Sequence, residues 1–593
     1  MSLKTELKDF QKDTLEWMKL HEKKYDGGML CLEAGLGKTL CSLALIIEKT
    51  KKPKKTLIVC PAGLVDNWVN EIEKHTTLHR LKYVKYYGPN RNTKYIKPDT
   101  LIYITSYSVV AREFDGVSFK KDSLLAKTEF NRIILDEAHY IRNSYSNVAK
   151  SVLYLGDSYT HTIKKWVVTA TPVYNHVNDT FNYFKFLELE GIDDKKDWTN
   201  TITKRIDGLY KLNGWIEKYS ISLKKSDVLK ELKSKNEIKI SLKFNKLEND
   251  FYESLKSYSH TRMKALMNRI KHLKSFQDTD MKRLLRACIL TFILRLKQAC
   301  NSPWLILKNM ERLKGVDNLE DAIECLNTVN LFFKKNKKTP DEDCPVCYDV
   351  KGDYIADCGH KCCKNCWDKI LEFKRECLVC RAYVDEENLQ HTKKKVKKTK
   401  ERMVDIDDFK NTIKVQKVIK LTKIAIENNE KIVIVSQWVG MLNIIRHVFE
   451  DELPDVKYIN LQGNIPLAQR TKNIEKFETK KSVKVCFLSL MSSSEEINLV
   501  SANHLVFVDC WWNKSKMIQG ADRIHRIGQT KQVNIYNLQI KDSIEEKIEM
   551  LVEKKTKMGN LITTKWAIKN IKKYDDSWIR NVIKLLEPVE SQE

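Results

Sequence analysis

Short runs of aliphatic and β-branched residues recur along this chain in two separate groups, and each group alternates with amphipathic stretches. The first group comprises residues 29–32, 56–60, 101–105, 133–135 and 166–169; the second comprises 431–435, 483–489, 504–508 and 533–538. Strands this short and this apolar, spaced by helical segments, belong to parallel sheets covered on both faces, so the predicted fold class is α/β with two parallel-sheet lobes. Between the groups, residues 246–333 are rich in Leu, Lys, Met and Arg and poor in Gly and Pro, which predicts a mostly helical stretch. A chain of 593 residues has room for three to five domains at about 100 to 200 residues each. No apolar run approaches the roughly 18 residues needed to span a bilayer, so no membrane partner is expected. Residues 1–13 lack the pattern of a secretory signal, so the chain is expected to stay inside a cell.

The formal net charge of +27 favours a polyanionic partner, usually nucleic acid. The excess of Lys over Arg, with abundant Asn and Ile, is also what an AT-rich genome puts on solvated faces. Charge alone therefore leaves both explanations open.

Gly35-Leu36-Gly37-Lys38-Thr39 lies between an apolar run and the apolar stretch 40–47, as a strand, a glycine loop and a helix would. Glycines let backbone N–H groups close around phosphate oxygens, Lys38 can neutralise the β and γ phosphates of ATP, and Thr39 can ligate Mg²⁺. The strict phosphate-loop pattern has Gly where this chain has Leu32. About a hundred residues on, Asp136 and Glu137 end the apolar run 132–135. Paired carboxylates there divide the work of phosphoanhydride hydrolysis, Asp136 holding the metal and Glu137 orienting or deprotonating the attacking water.

Glu33-Ala34-Gly35-Leu36-Gly37-Lys38-Thr39 followed by Asp136-Glu137-Ala138-His139 resembles helicase superfamily two, and more narrowly its Swi/Snf-type double-stranded DNA translocases. The resemblance implies two RecA-like lobes and assigns further roles in order. Gln11, within Phe10-Gln11, is similar to the amide that reads adenine, and Gly35, Leu36 and Gly37 to the phosphate cradle. Cys60-Pro61, Asn67-Trp68 and Glu71 resemble the next motif. Thr105-Ser106-Tyr107 resembles a DNA-backbone contact, and Thr169-Ala170-Thr171-Pro172 with Asn175 the motif that links hydrolysis to movement. The eleven residues Gln519 to Gln529 are the most specific match. They imply that Gln519 meets the nucleotide and that Arg523 and Arg526, one helical turn apart, act across the cleft as arginine fingers. One departure stands out: where the family has a glycine-rich turn before Asn498, this chain reads Ser492-Ser493-Ser494-Glu495-Glu496, which removes easy positive φ and puts carboxylates near the expected DNA backbone.

Of the 16 cysteines, 8 fall between Cys344 and Cys380 and the rest are scattered singly. Cys344, Cys347, Cys358, His360, Cys363, Cys366, Cys377 and Cys380 provide eight N/S ligands in short spacings, the number two closed, structural Zn²⁺ sites require. The pattern resembles a RING finger, whose cross-bracing implies one site of Cys344, Cys347, Cys363 and Cys366 and another of Cys358, His360, Cys377 and Cys380. Val346, Trp367 and Arg381 stand where RING ubiquitin ligases contact a ubiquitin-conjugating enzyme and bound ubiquitin, whereas Leu378 stands where many have Pro. A RING between two motor lobes resembles the branch containing helicase-like transcription factor and the yeast post-replication-repair proteins.

The resulting plan is a first ATP-binding lobe at 1–235, a helical insertion and connector at 236–335, a RING at 340–385, a basic linker at 386–410, a second lobe at 411–560 and a tail at 561–593. The Lys-rich run 393–398 suits a solvated tether and also a nuclear-import signal, which points to a nuclear protein; the composition equally suits a large DNA virus and its replication compartment. The expected function is a DNA-dependent ATPase that translocates on double-stranded DNA and remodels protein–DNA or branched DNA structures, with ATP, Mg²⁺ and two Zn²⁺ as cofactors. Its RING would recruit a ubiquitin-conjugating enzyme. Two alternatives stay open: a RING that only docks partners, and a degenerate motor serving as a DNA-binding scaffold for a ligase. The sequence leaves the oligomeric state open.

Overall fold

The computed structural model describes residues 3–48, 55–77, 82–88, 91, 100–157, 162–170, 177–189, 192, 194–203, 205–229, 231–272, 279–307, 323–324, 353–356, 361–373, 384–391, 412–462, 465–489, 497–512 and 514–562. The first lobe is built on seven parallel strands: β1 (Gly27–Leu32), β2 (Thr56–Cys60), β3 (Tyr83–Lys85), β4 (Ile102–Ser106), β5 (Arg132–Asp136), β6 (Lys164–Val168) and β7 (Ser220–Leu223). Their order is β3-β4-β2-β5-β6-β1-β7. Every residue of β1, β2, β4 and β5 is buried, because helices cover both sides of the sheet. The two-residue period of a strand divides these side chains between two cores: Met29, Leu57, Tyr103 and Ile133 face one way, and Leu30, Ile58, Ile104 and Ile134 the other.

The strand β8 (Lys235–Leu242), just before the stretch expected to be helical from residue 246, is extended and joins the second sheet. It runs parallel to β16 (Val533–Ile540) along its whole length, from Lys235 opposite Val533 to Leu242 opposite Ile540. The helices Lys246–His272 and Thr279–Asn301 follow it. A small antiparallel sheet comes next, ordered β10-β9-β11 from β9 (Tyr354–Ile355), β10 (Lys361–Cys362) and β11 (Gln390–His391). It is braced by the helix Lys364–Phe373, whose Trp367 donates from Nε1 to the Tyr354 carbonyl at 3.0 Å. Cys363, Cys366, Trp367 and Ile370 pack into the same core as Phe251, Leu296, Trp304 and Val415, so this sheet is fastened to the second lobe.

The second lobe's sheet is ordered β13-β14-β12-β15-β16-β8, from β12 (Ile432–Ser436), β13 (Lys457–Leu461), β14 (Val483–Ser489), β15 (His504–Phe507) and β16 (Val533–Ile540). All its neighbours are parallel, and Ile432 and Ile434 face one core while Val433 and Val435 face the other. Among the described residues no helix is long and apolar enough to cross a membrane.

Candidate functional site

The strand order β5-β6-β1 brings the carboxyl ends of β1 and β5 to one edge of the first sheet, the edge at which open parallel sheets bind ligands. The loop after β1 carries the glycines. Gly35 and Gly37 both have positive φ, 87° and 84°, which a side chain disfavours. Space is tight as well: a Cβ on Gly37 would lie 2.5 Å from Gln11 Nε2, and one on Gly35 would lie 3.0 Å from Arg526 Cβ. Leu32, the departure from the strict phosphate-loop pattern, is the last residue of β1. Its side chain fills the core and its carbonyl accepts the Lys38 ammonium at 3.2 Å. The strand thus extends to the position where the strict pattern has glycine, and the loop proper is 33–37. Lys38 and Thr39 open the helix Lys38–Ile47 and are both buried.

Gln11 sits in the first turn of the helix Asp9–Tyr25, with its amide turned onto the loop. Nε2 donates to the Leu36 carbonyl at 3.0 Å, and Oε1 accepts from the Lys8 N–H at 3.0 Å. The far end of that helix is fixed by Glu22, which takes both Arg132 Nε and Nη2 (2.6 and 2.7 Å) and Trp166 Nε1 (2.9 Å). One helix therefore connects the glycine loop with the strand bearing the carboxylates.

Asp136 ends β5 and is held at three points. Its Oδ2 accepts from Trp68 Nε1 at 2.9 Å, its Oδ1 from the Glu137 N–H at 2.9 Å, and its carbonyl from the Tyr107 hydroxyl at 2.8 Å. Glu137 has φ 49°, a left-handed conformation that turns its side chain toward the cleft. Its Oε2 is 3.1 Å from His139 Nδ1. Burial works against its negative charge, but the bond to His139 and the charges of Lys38 and Lys516 outweigh burial and hold its carboxyl below the usual glutamate range.

The second lobe closes the site. A cleft of about 100 Å³ is lined by Gly35, Lys38, Glu137 and Tyr140 from one lobe. From the other lobe it is lined by Ile497, Lys516, Gln519, Asp522, Arg523 and Arg526. Gln519 lies on the helix Lys514–Ala521, and the 11-residue motif continues through a turn secured by Gln529, whose Nε2 donates to the carbonyls of Val500, Ala502 and Ile524 at 3.0, 2.8 and 3.0 Å. The structure thus gathers Lys38, Glu137, Gln519, Arg523 and Arg526 around one cavity, with Asp136 and Thr39 buried behind it.

Residues beyond the assigned catalytic set also shape the site, Trp68 and Tyr107 from motifs already read and Lys516 from outside any motif. Trp68 orients Asp136, and Tyr107 supports the same strand end. Lys516 faces Glu137 across the cleft; its spacing of three and seven residues from Gln519 and Arg523 is the helical signal that could have revealed it. Lys225 joins the lobes.

Thr105-Ser106-Tyr107 also has a role inside the lobe. Thr105, Ser106 and Tyr107, assigned to a DNA backbone, are buried and used within the lobe. Thr105 Oγ1 donates to the Tyr86 carbonyl at 2.9 Å, Ser106 caps the helix Tyr107–Glu113 by accepting from the Val109 N–H, and Tyr107 is occupied by Asp136. Thr171, Pro172, Asn175 and the turn 490–496 lie outside the described residues, as do Cys344, Cys347, Cys358, His360, Cys377 and Cys380. Cys363 and Cys366 are buried at the start of the helix Lys364–Phe373, three residues apart. Among the described residues no group of three or more metal-ligating side chains comes together.

Comparison with known proteins gives two domain matches: an SNF2-related domain over residues 10–305 and a helicase conserved C-terminal domain over residues 413–528. An uncharacterized ATP-dependent helicase of Schizosaccharomyces pombe is 27% identical over 93% of this chain and 60% of its own length. Transcription termination factor 2 of Drosophila melanogaster is 27% identical over 95% and 58%, and DNA repair protein RAD5 of Saccharomyces cerevisiae is 28% identical over 91% and 54%. The chain spans somewhat more than half the length of these relatives. The SWI2/SNF2 ATPase core of Sulfolobus solfataricus in complex with dsDNA is 22% identical over 96% of both chains, with a TM-score of 0.37, too loose a superposition to carry positions across. Residues 10–305 thus match an SNF2-related domain and residues 413–528 a helicase conserved C-terminal domain, and the similar proteins include an ATP-dependent helicase and a DNA repair protein.

Proposed function

We propose that the chain is a DNA-dependent ATPase that translocates on double-stranded DNA and remodels protein–DNA or branched DNA structures. The observation that carries this reading is the single cleft holding Lys38 and Glu137 of one lobe and Gln519, Arg523 and Arg526 of the other. Lys38 and the loop N–H groups bind the phosphates, Glu137 orients the attacking water and accepts its proton, and the two arginines stabilise charge on the terminal phosphate when the lobes are closed. Thr39 and Asp136 are the residues that would hold Mg²⁺. Asp136 fits the role, since Trp68 and the Glu137 N–H fix its carboxylate while leaving further lone pairs, and the ion would supply neutralising charge at the β and γ phosphates. Duplex DNA as the track is supported by the net charge of +27 and by relatives that include a DNA repair protein. The test is steady-state ATP hydrolysis without nucleic acid and with single-stranded DNA, duplex DNA or RNA, using Glu137→Gln as the blank. Stimulation by duplex that is lost in Glu137→Gln is expected; no turnover above the blank on any nucleic acid overturns the reading.

The cysteine and histidine pattern supports a second element of the proposal, a two-zinc RING that recruits a ubiquitin-conjugating enzyme. The two described ligand candidates, Cys363 and Cys366, fit the donor chemistry of zinc, being thiols one helical turn apart beside a hairpin. Two zinc ions per chain are expected by elemental analysis, and Val346→Ala or Arg381→Ala is expected to abolish ubiquitin-chain formation without changing ATP hydrolysis. Zinc without chain formation by any conjugating enzyme would leave a docking module.

A further inference from the structure

The residue that joins the lobes most directly is not one of the expected nucleotide ligands. Lys225 begins the short helix Lys225–Val228, just after β7, and is only 3% exposed. Its ammonium crosses into the second lobe, where it donates to Asp522 Oδ1 and, at 2.6 Å, to the His525 carbonyl. Its own N–H is held by Glu33 Oε2 at 2.7 Å, and Glu33 Oε1 lies 3.9 Å from the ammonium. Asp522 is 5% exposed, directly precedes Arg523 and lies three residues before His525, which Lys225 also binds. Over the loop the approach is close. A Cβ on Gly35 would meet Arg526 Cβ at 3.0 Å and Lys225 Cε at 3.5 Å, so Lys225 and Arg526 lie side by side on that glycine.

A buried ion pair of this kind is poor glue. Taking two charges out of water costs roughly what their attraction returns, whereas stranding one of them costs several kcal/mol. Burial pushes the Lys225 ammonium down and the Asp522 carboxyl up, each opposed by the charge of the other. Such a pair discriminates among ways of closing: only one register of the two lobes brings both charges and the His525 carbonyl together, and a shift of one residue leaves two bare charges buried.

We propose that Lys225 is a positioning residue for lobe closure, and that its bonds to Asp522 and the His525 carbonyl set the register in which Arg523 and Arg526 meet the phosphate loop. Its link to hydrolysis rests on the ATPase reading above; its link to closure does not, and each has its own readout.

The experiment is a double-mutant cycle on the full chain: Lys225→Met, Asp522→Leu and Lys225→Met/Asp522→Leu, with a thermal melt to show folding. Each single variant strands a charge in the closed state and is expected to lower kcat by about tenfold or more with little change in KM, while the double variant removes both charges and recovers to within about threefold of the parent. Amide exchange with a non-hydrolysable ATP analogue bound gives the second readout. Protection of peptides covering 222–229 and 519–527 should fall in both single variants and return in the double variant. A double variant no better than the worse single one, or single variants with unchanged kcat and unchanged protection, overturns the proposal. If the parent shows no turnover above Glu137→Gln, the ATPase reading falls and the exchange arm alone decides the role of Lys225. Should Lys225→Met fail to fold, Lys225→Arg replaces it; there the cation is retained in a longer fork, and reduced protection at both peptides is expected, with unchanged protection counting against the proposal.

Discussion

At the scale of single residues, the cleft depends on groups that hold other groups in place. Trp68 is fully buried and spends its only polar atom on Asp136 Oδ2. Trp68→Phe keeps the ring packing but removes that donor, and is expected to cost about 1 to 3 kcal/mol in stability and to raise the Mg²⁺ concentration for half-maximal ATP hydrolysis. An unchanged magnesium requirement would reduce Trp68 to packing. Lys516 has its ammonium pushed down by burial and by the nearby arginines Arg523 and Arg142, against the pull of Glu137. Lys516→Met is expected to weaken binding of a non-hydrolysable triphosphate about three- to tenfold and to leave ADP binding unchanged, as measured by titration; equal loss for both nucleotides would rule out contact with the terminal phosphate. Lys38, Asp136, Glu137, Arg523 and Arg526 were legible because glycine loops, carboxylate pairs and paired arginines keep their spacing in sequence. The roles of Trp68, Lys225 and Lys516 were not, because the partners that give them meaning are 68, 297 and 379 positions away in the chain.

At the scale of elements, buried strands announced themselves and edge strands did not. β2 and β14 have the boundaries expected from their aliphatic runs, since a strand covered on both faces must be apolar throughout. β8 was hidden in Lys235-Asn236-Glu237-Ile238-Lys239-Ile240-Ser241-Leu242, where only Ile238, Ile240 and Leu242 alternate and most of the strand is exposed. That alternation is the mark of a half-covered edge strand, and lysine-rich surroundings obscured it. The helix Asp9–Tyr25 shows how an element transmits position. Glu22→Ala leaves Arg132 buried without its carboxylate, so a stability loss of about 3 to 5 kcal/mol in denaturant unfolding is expected. Because Gln11 rides on the same helix, the KM for ATP should rise in parallel. A normal KM in a destabilised variant would show that the Leu36 contact survives independently of the helix's far end.

At the scale of the whole molecule, two parallel-sheet lobes were readable from hydrophobic patterning, whereas their mutual placement was not, because it rests on a few polar groups brought together over hundreds of residues. Under the proposed function the excess positive charge acts over the same scale. The apparent affinity for duplex, read from stimulation of ATP hydrolysis, should fall linearly with salt on logarithmic axes, with a slope of about −0.9 per phosphate neutralised. A flat line would mean that the +27 charge is only surface composition. The fastening of the small antiparallel sheet has a mechanical consequence. Its Trp367 and Ile370 belong to the same core as Trp304 and Val415, so the described part of the sheet is packed onto the second lobe. Under the proposed function, in which the lobes open and close on nucleotide, whatever docks on this sheet would travel with the second lobe and be presented to its surroundings in time with ATP turnover.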